Sequence, residues 1–190
     1  MSRIIEDKVI ENIDFSKEKF QIGEYDSCMF KNCNLSSVTM ATSSFIECQF
    51  LECDLSNAKI QNTSFKTVEF DACKLMGLHF DECNPFLLSL SFENCTLNFS
   101  SFFGLNLKNS SFNSGELIQV EFSETNLNGS SFSSCNLQDA TFFNANLEGC
   151  DFRTATNYVI DPEKNKMKSA RFSSQGLAGL LVKHRLKIEN

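Results

Sequence analysis

The sequence predicts an all-β repeat protein, and two features of its 190 residues lead to that prediction. Apolar side chains recur at every fifth residue from Phe15 to Phe80, and again from Leu87 to Phe152 after a two-residue slip in phase. The composition is biased as in a repeat, with 20 Phe and no Trp. A helix of period 3.6 would spread a five-residue spacing around its circumference, and a simple strand would send alternate members to opposite faces. The fixed period therefore indicates a solenoid.

Most repeats carry a small residue two positions before the apolar residue, and the residue between them is mostly polar. The small set includes Cys28, Cys33, Ser43, Cys48, Cys53, Ala58, Ser110, Ser130, Ala140 and Ala145. The full pattern is plain in the segments that begin at Cys53 and Ala145, which read CDLSN and ANLEG. Over residues 13–154 this pattern resembles the pentapeptide-repeat family. The resemblance implies a right-handed quadrilateral β-helix of about seven coils, each built from four repeats.

Residues twenty apart should then stack, and two columns match along the chain. The predicted core ladder consists of Phe30, Phe50, Phe70, Phe92, Phe112, Phe132 and Phe152 in one column and Leu35, Leu55, Leu75, Leu97, Leu117 and Leu137 in the next. The match survives the slip, so two extra residues near Asp81 to Pro85 are expected to loop out. The predicted divisions are an N-terminal cap over 1–12, the β-helix over 13–154 with its slip near 81–86, and a C-terminal cap and dimerisation segment over 155–190.

The nine cysteines all occupy the small inward position, which favours a core role over a disulfide, metal or redox role. The two histidines, His79 and His184, are far apart, and no phosphate-binding loop or metal-binding helix motif is present. An interior filled by Phe and Leu leaves no obvious space for a substrate. We therefore predict a protein that is not an enzyme and that uses no cofactor or metal.

Charge is distributed unevenly along the chain. Residues 13–152 hold 18 Asp or Glu against 7 Lys, whereas residues 153–190 hold 8 Lys or Arg against 3 acids. An acidic rod disfavours direct binding to nucleic acid. The outward positions around the Phe column are rich in carboxylates. Carboxylates spaced along a rod are expected of a phosphate-backbone mimic, but also of an ordinary solvated face. The candidate acidic binding face comprises Glu47, Glu52, Glu69, Asp71, Glu93 and Asp151.

The architecture is similar to the quinolone-resistance (Qnr) and MfpA type of pentapeptide-repeat protein. That resemblance implies a rod-shaped homodimer that binds DNA gyrase or topoisomerase IV as a duplex mimic and confers resistance to quinolones or a toxin. The alternative is a scaffolding module whose flat faces bind some other protein, with no topoisomerase role.

The C-terminal segment departs from the five-residue rule. Ser173 or Ser174 is expected to cap a short helix from about Gln175 to Lys183. This helix acts either as a lid on the last coil alone or also as a contact across a twofold axis, the option that the resemblance favours. The candidate dimer interface is formed by Leu177, Leu180, Leu181, Leu186 and Ile188. No secretory or membrane-spanning segment is visible, so we expect a cytoplasmic protein that does not bind a membrane.

Overall fold

The computed structural model describes residues 3–187. It contains eleven short strands and three 3-10 helices. The strands are β1 (Ile4–Glu6), β2 (Val9–Glu11), β3 (Glu24–Asp26), β4 (Met29–Lys31), β5 (Ser44–Ile46), β6 (Gln49–Leu51), β7 (Ser64–Lys66), β8 (Val68–Asp71), β9 (Leu90–Glu93), β10 (Ser111–Asn113) and β11 (Ser131–Ser133). The 3-10 helices span Phe80–Glu82, Ser174–Leu180 and Val182–His184.

The strands form two parallel sheets whose register follows the twenty-residue repeat. One sheet has the order β1-β3-β5-β7, and the other has seven strands in the order β11-β10-β9-β8-β6-β4-β2. Two further sides are held by parallel bridges, such as those between Asn34 and Asp54 and between Glu121 and Thr141. The prediction of a right-handed quadrilateral β-helix is confirmed, because the chain turns four times in each twenty-residue coil.

Stacked aromatic rings fill the interior. Phe112 and Phe132 lie one coil apart with ring centroids separated by 5.0 Å and planes tilted by only 2°. Around the coil, Phe112 meets Phe122 edge to face at 5.6 Å. All thirteen side chains of the core ladder are buried. Each of these buried Phe and Leu side chains contributes about 1.5–3 kcal/mol of gross apolar stabilisation.

The small inward residues satisfy backbone groups as well as filling space. The hydroxyl of Thr125 donates to the carbonyl of Phe102 at 2.8 Å, and the thiol of Cys150 donates to the carbonyl of Leu127 at 2.9 Å. All nine cysteines are free and buried. Burial raises the pKa of the Cys150 thiol to about 12, so this group stays protonated and remains a donor. The cysteines thus act as small core groups, and all except Cys83 donate to a carbonyl of the preceding coil.

Strand pairing locates the phase slip. The twenty-residue register persists to Asn84, which pairs with Ser64, and a 22-residue register begins at Leu90, which pairs with Val68. The two extra residues therefore lie within 85–89, at the C-terminal end of the range near 81–86 that the sequence suggested. Leu87, which the five-residue rule places inward, is 64% exposed with a φ of +57°. Leu88 is half-buried against the core in this stretch instead, whereas Leu90 lies two residues before Phe92 and takes the regular small inward position opposite Val68.

Both predicted caps contain elements that continue the solenoid. Within residues 3–12, β1 and β2 pair in parallel with β3 and β4. At the other end, Phe172 stacks on Phe152 with centroids 5.2 Å apart. These contacts extend the Phe column beyond the boundaries inferred from the repeat alone.

The C-terminal helix is a pair of 3-10 helices that begins at Ser174 and breaks at Leu181. The Ser173 side chain caps the first 3-10 helix by accepting a hydrogen bond from the Gly176 amide at 3.2 Å. Ser173 is thus the cap, of the two serines that the sequence offered. Gly176 and Gly179 lie against Tyr158 so closely that a Cβ at either position would collide with it. These two glycines let the helix pack directly on the last buried ring.

Candidate binding face

The Phe-column face is the outer surface of the seven-stranded sheet, with its continuation at Asp151 and Arg171. Side chains that flank an inward Phe in a strand point outward, so each coil contributes two of them. One outward column contains Gln49, Glu69, Ser91, Ser111, Ser131, Asp151 and Arg171, and the other contains Leu51, Asp71, Glu93, Asn113 and Ser133. The face is therefore a flat ladder whose chemistry changes along its length.

Three carboxylates of the candidate acidic face lie together near the middle of the rod. Asp71 is in direct register with Glu93 on the next strand, and Glu69 precedes Asp71 by two residues on the same strand. The amide of Glu52 donates to the carbonyl of Asp71, so the backbone of Glu52 lies beside Asp71 at the corner that follows the face, where its φ is +54°. Like charges one strand apart repel each other, and this repulsion leaves the group ready to receive cations. We call Glu69, Asp71 and Glu93 the acidic cluster; Glu52 lies at the adjoining corner.

Neighbouring amides hold two members of the acidic cluster. The Gln49 side-chain amide donates to Glu69 at 3.0 Å, and the Asn94 side-chain amide donates to Asp71 at 3.1 Å. A shallow groove over this part of the sheet is lined by Glu69, Asp71 and Glu93 among others. The cluster is therefore partly positioned by neutral donors and is open to solvent.

Asp151 and Glu47 do not belong to the acidic cluster. Asp151 forms ion pairs with Arg153 at 2.8 Å and Arg171 at 2.9 Å, and the serine column separates it from Glu69. Glu47 sits at the corner that precedes the face, with a φ of +51°. Sequence spacing alone grouped these residues, because it does not reveal that Arg171 returns to stack on Asp151.

The Asp151 ion pairs predict a change of stability at low pH. The hydrogen bond from Arg153 is the main cause that holds the pKa of Asp151 below its ordinary value. A lowered folded-state pKa contributes stability that is present above the unfolded pKa of about 3.9 and is lost as pH falls through the folded value. Because both arginines are more than half exposed, we expect the Asp151 ion pairs to contribute no more than about 1 kcal/mol to the free energy of unfolding.

The measurement is urea unfolding of wild-type protein and an Asp151→Asn variant from pH 7 to pH 2. The difference between them should shrink as pH falls below about 4. Asp139→Asn, at an exposed corner, is the matched control. If the free energies of unfolding of wild type and Asp151→Asn differ by the same amount at every pH, the Asp151 ion pairs are not the source of the pH dependence.

The C-terminal helices expose an apolar surface. Leu177, Leu181 and Leu186 of the predicted dimer interface are exposed, while Leu180 is half-buried against the core. Ile188 lies outside the described residues. Val182 is also exposed and was not among the predicted residues, although it ends the apolar run that begins at Gly176. We call Leu177, Leu181, Val182 and Leu186 the C-terminal apolar patch.

An ion cluster ties these helices to the preceding turn. The Lys183 ammonium lies 2.8 Å from Asp161 and 2.7 Å from Glu163. Its hydrogen bond is the main cause that lowers the pKa of Asp161. The contact links the second of these helices to the turn at Asp161 and Glu163.

Among residues 3–187, no group of three or more His, Cys, Asp or Glu side chains is arranged to hold a metal ion. The grooves found over this part of the chain are open and lie on the surface. One of them is formed by Arg153, Tyr158, Gln175 and Gly176 beside the first C-terminal helix. The arrangement is suited to recognition by an extended surface.

Two family models match the chain, and both describe the same repeat. The family model of the pentapeptide repeat region matches residues 24–102, and the model of eight copies of the pentapeptide repeat matches residues 121–156. Together they cover more than half of the chain. The chain belongs to the pentapeptide-repeat family.

Solved structures share the fold of this pentapeptide-repeat protein. One trypsin-treated form of QnrB1, a plasmid-mediated fluoroquinolone resistance protein, has a TM-score of 0.64 at 17% identity and covers 98% of this chain and 100% of that chain. A second trypsin-treated form has the same TM-score and identity, and covers 96% and 99%. No curated protein sequence matches the chain. The likeness to QnrB1 thus rests on the fold.

The described part of this pentapeptide-repeat protein has no helix that is both long enough and apolar enough to cross a membrane. Its longest helix spans only the seven residues of Ser174–Leu180.

Proposed function

We propose that this protein is a non-enzymatic binding protein that engages DNA gyrase or topoisomerase IV through its Phe-column face and thereby modulates quinolone or toxin action. The acidic cluster carries the proposal. Its carboxylates lie on two neighbouring coils about 4.8 Å apart, and this arrangement presents a patch of negative charge to a DNA-binding groove. The fold shared with QnrB1, a fluoroquinolone resistance protein, supports the same assignment.

One observation favours a second candidate function, a scaffolding module without a topoisomerase role. The carboxylate line does not run the length of the face, because Ser91, Ser111 and Ser131 follow Glu69 and two arginines pair with Asp151. A short acidic cluster fits a cationic patch on any protein partner. The distinction between the two functions lies in competition with DNA.

The test is a gyrase supercoiling assay, with and without ciprofloxacin, in which the protein is titrated. We expect wild-type protein to inhibit supercoiling or to restore it in the presence of the drug. Reversing the cluster in a Glu69→Lys/Asp71→Lys/Glu93→Lys variant should weaken the effect by at least tenfold, since loss of a charge pair at an interface costs about 2–5 kcal/mol.

The matched control reverses three exposed acids on other sides of the rod, in a Glu116→Lys/Glu124→Lys/Asp139→Lys variant. This variant has the same net charge as the cluster variant, so it separates a local effect from a general one. An equal loss in both variants would contradict recognition through the Phe-column face. No effect of the wild-type protein on supercoiling would favour the scaffolding function.

We further infer a homodimer through the C-terminal apolar patch. Exposed leucines on packed helices that Lys183 anchors to Asp161 offer a preformed surface for an isologous contact. The expected result is a dimer by light scattering for wild-type protein and a monomer for Leu177→Gln/Leu181→Gln. Ile4→Gln/Val9→Gln, which changes exposed apolar residues at the opposite end, should remain dimeric. If wild-type protein is monomeric, the homodimer proposal is wrong and the helices serve only to cover the last coil of one chain.

A further inference from the structure

Two half-exposed phenylalanines share one outward column on a different side of the solenoid. This side, the Phe102 side, carries the inward residues Met40, Ile60, Phe80, Phe102, Phe122 and Phe142. Phe103 and Phe143 each follow an inward Phe by one residue, and they are 47% and 49% exposed. Single exposed apolar residues are ordinary on a protein surface. The position of these two relative to each other is what requires an explanation.

Ser123 lies between them in the same column. Parallel bridges join Ser101 to Glu121 and Glu121 to Thr141, so the three coils are in register. The inward rings of these coils stack with centroids 5.2 Å apart at each step. Two coil steps of about 4.8 Å place the backbones of Phe103 and Phe143 about 10 Å apart. Because Ser123 has no ring, the outward column lacks one aromatic side chain between Phe103 and Phe143, and we call this position the gap.

The gap has the spacing of the protein's own aromatic ladder. Where Phe occupies consecutive coils in the core, the rings stack at 4.7 Å for Phe80 and Phe102 and at 5.0 Å for Phe112 and Phe132. A third ring inserted beside Ser123 would find a neighbour one coil step away on each side. Offset-stacked rings at 4.5–7 Å attract each other beyond the area that they bury. An aromatic side chain is therefore the group that this column accommodates.

The charges beside the gap are negative. The Ser123 amide donates to the Glu121 carboxylate at 2.7 Å, which holds that carboxylate next to the gap. Glu124 follows at the exposed corner, where its amide donates to the carbonyl of Phe143 at 2.8 Å. Cationic residues next to the incoming ring would meet both carboxylates, whereas a nucleic acid would be repelled.

We propose that Phe103, Ser123 and Phe143 form a docking slot for one aromatic side chain of a partner protein, with Glu121 and Glu124 selecting cationic residues beside it. The slot is distinct from the Phe-column face and does not depend on a topoisomerase partner. It would allow the rod to hold a second protein while its Phe-column face remains free.

The test uses the tripeptide Lys-Trp-Lys as the probe. Because the chain contains no Trp, indole fluorescence reports the probe alone. We expect a saturable change in emission with a dissociation constant on the order of 1 mM, and weaker binding of Glu-Trp-Glu. Phe143→Ala should weaken Lys-Trp-Lys binding roughly threefold to tenfold.

Filling the gap is the decisive variant. Ser123→Phe should abolish saturable binding, because its ring occupies the place of the probe. Ser133→Phe adds the same ring at a similarly half-buried outward serine of the Phe-column face, and it should bind like wild type. Thermal unfolding shows whether each variant folds. If Ser123→Phe does not fold, the binding of Lys-Trp-Lys to Phe143→Ala is the test of the slot. Absence of saturable binding to wild type, unchanged binding in Phe143→Ala, or tighter binding of an oligothymidylate than of Lys-Trp-Lys would overturn the proposal.

Discussion

Replacement of Phe112 by alanine is expected to lower the free energy of unfolding by about 3–5 kcal/mol. Phe112 is fully buried and has stacked neighbours on both sides, with centroids 5.1 Å from Phe92 and 5.0 Å from Phe132. Alanine removes both stacked contacts and leaves a cavity that the rigid ladder does not close. Since each coil packs only on its neighbours, the loss falls in the middle of the rod and divides the column.

The measurement is urea unfolding monitored by circular dichroism. Phe143→Ala is the matched control, since it removes the same side chain from a half-exposed outward position and should change stability by less than about 0.5 kcal/mol. A similar loss in both variants would mean that the stacked column is not the principal source of stability.

The second large effect is expected for Gly179→Val, which should detach the C-terminal helices. A Cβ at Gly179 would collide with the carbonyl oxygen of Tyr158, a backbone atom that no side-chain rotation moves away. Overpacking of this kind costs typically about 1–3 kcal/mol. Displacement of the helix also uncovers Tyr158, which is buried in wild type.

Limited trypsin digestion measures this effect through cleavage after Lys183 and Arg185. We expect Gly179→Val to be cut faster than wild type, whereas Ala178→Val, which adds a similar side chain at the exposed neighbouring position, should be cut at the wild-type rate. If the proposed homodimer uses these helices, Gly179→Val should also be monomeric. Equal digestion rates for the two variants would argue against close packing on Tyr158.

The sequence was most informative about the inward residues, because the backbone geometry repeats every twenty residues. The core ladder follows directly from that period, and each of its members is buried. The phase slip was less well determined, since a change of phase shows that residues have been added but not which ones leave the ladder. Pairing of Asn84 with Ser64 assigns the loop to 85–89, and this pairing has no signature in the apolar pattern.

The outward residues were harder to group, because their interactions depend on the ends of the solenoid. Asp151 resembled the other carboxylates of the candidate acidic face until the return of Arg171 provided it with a second cation. The exposed Phe103 and Phe143 were likewise indistinguishable from other variable positions in the repeat. A period identifies which residues face outward, but partners from outside the regular repeat determine their charge and contacts.

The in-register coil also means that the rod changes length in fixed steps. A duplication or deletion of twenty residues would insert or remove one layer, about 4.8 Å thick, while each remaining residue kept its side and its neighbours. The acidic cluster and the C-terminal apolar patch would then move apart or together without any change in either surface. Insertion or deletion of whole coils can therefore change the distance between two recognition surfaces on such a protein without altering the surfaces themselves.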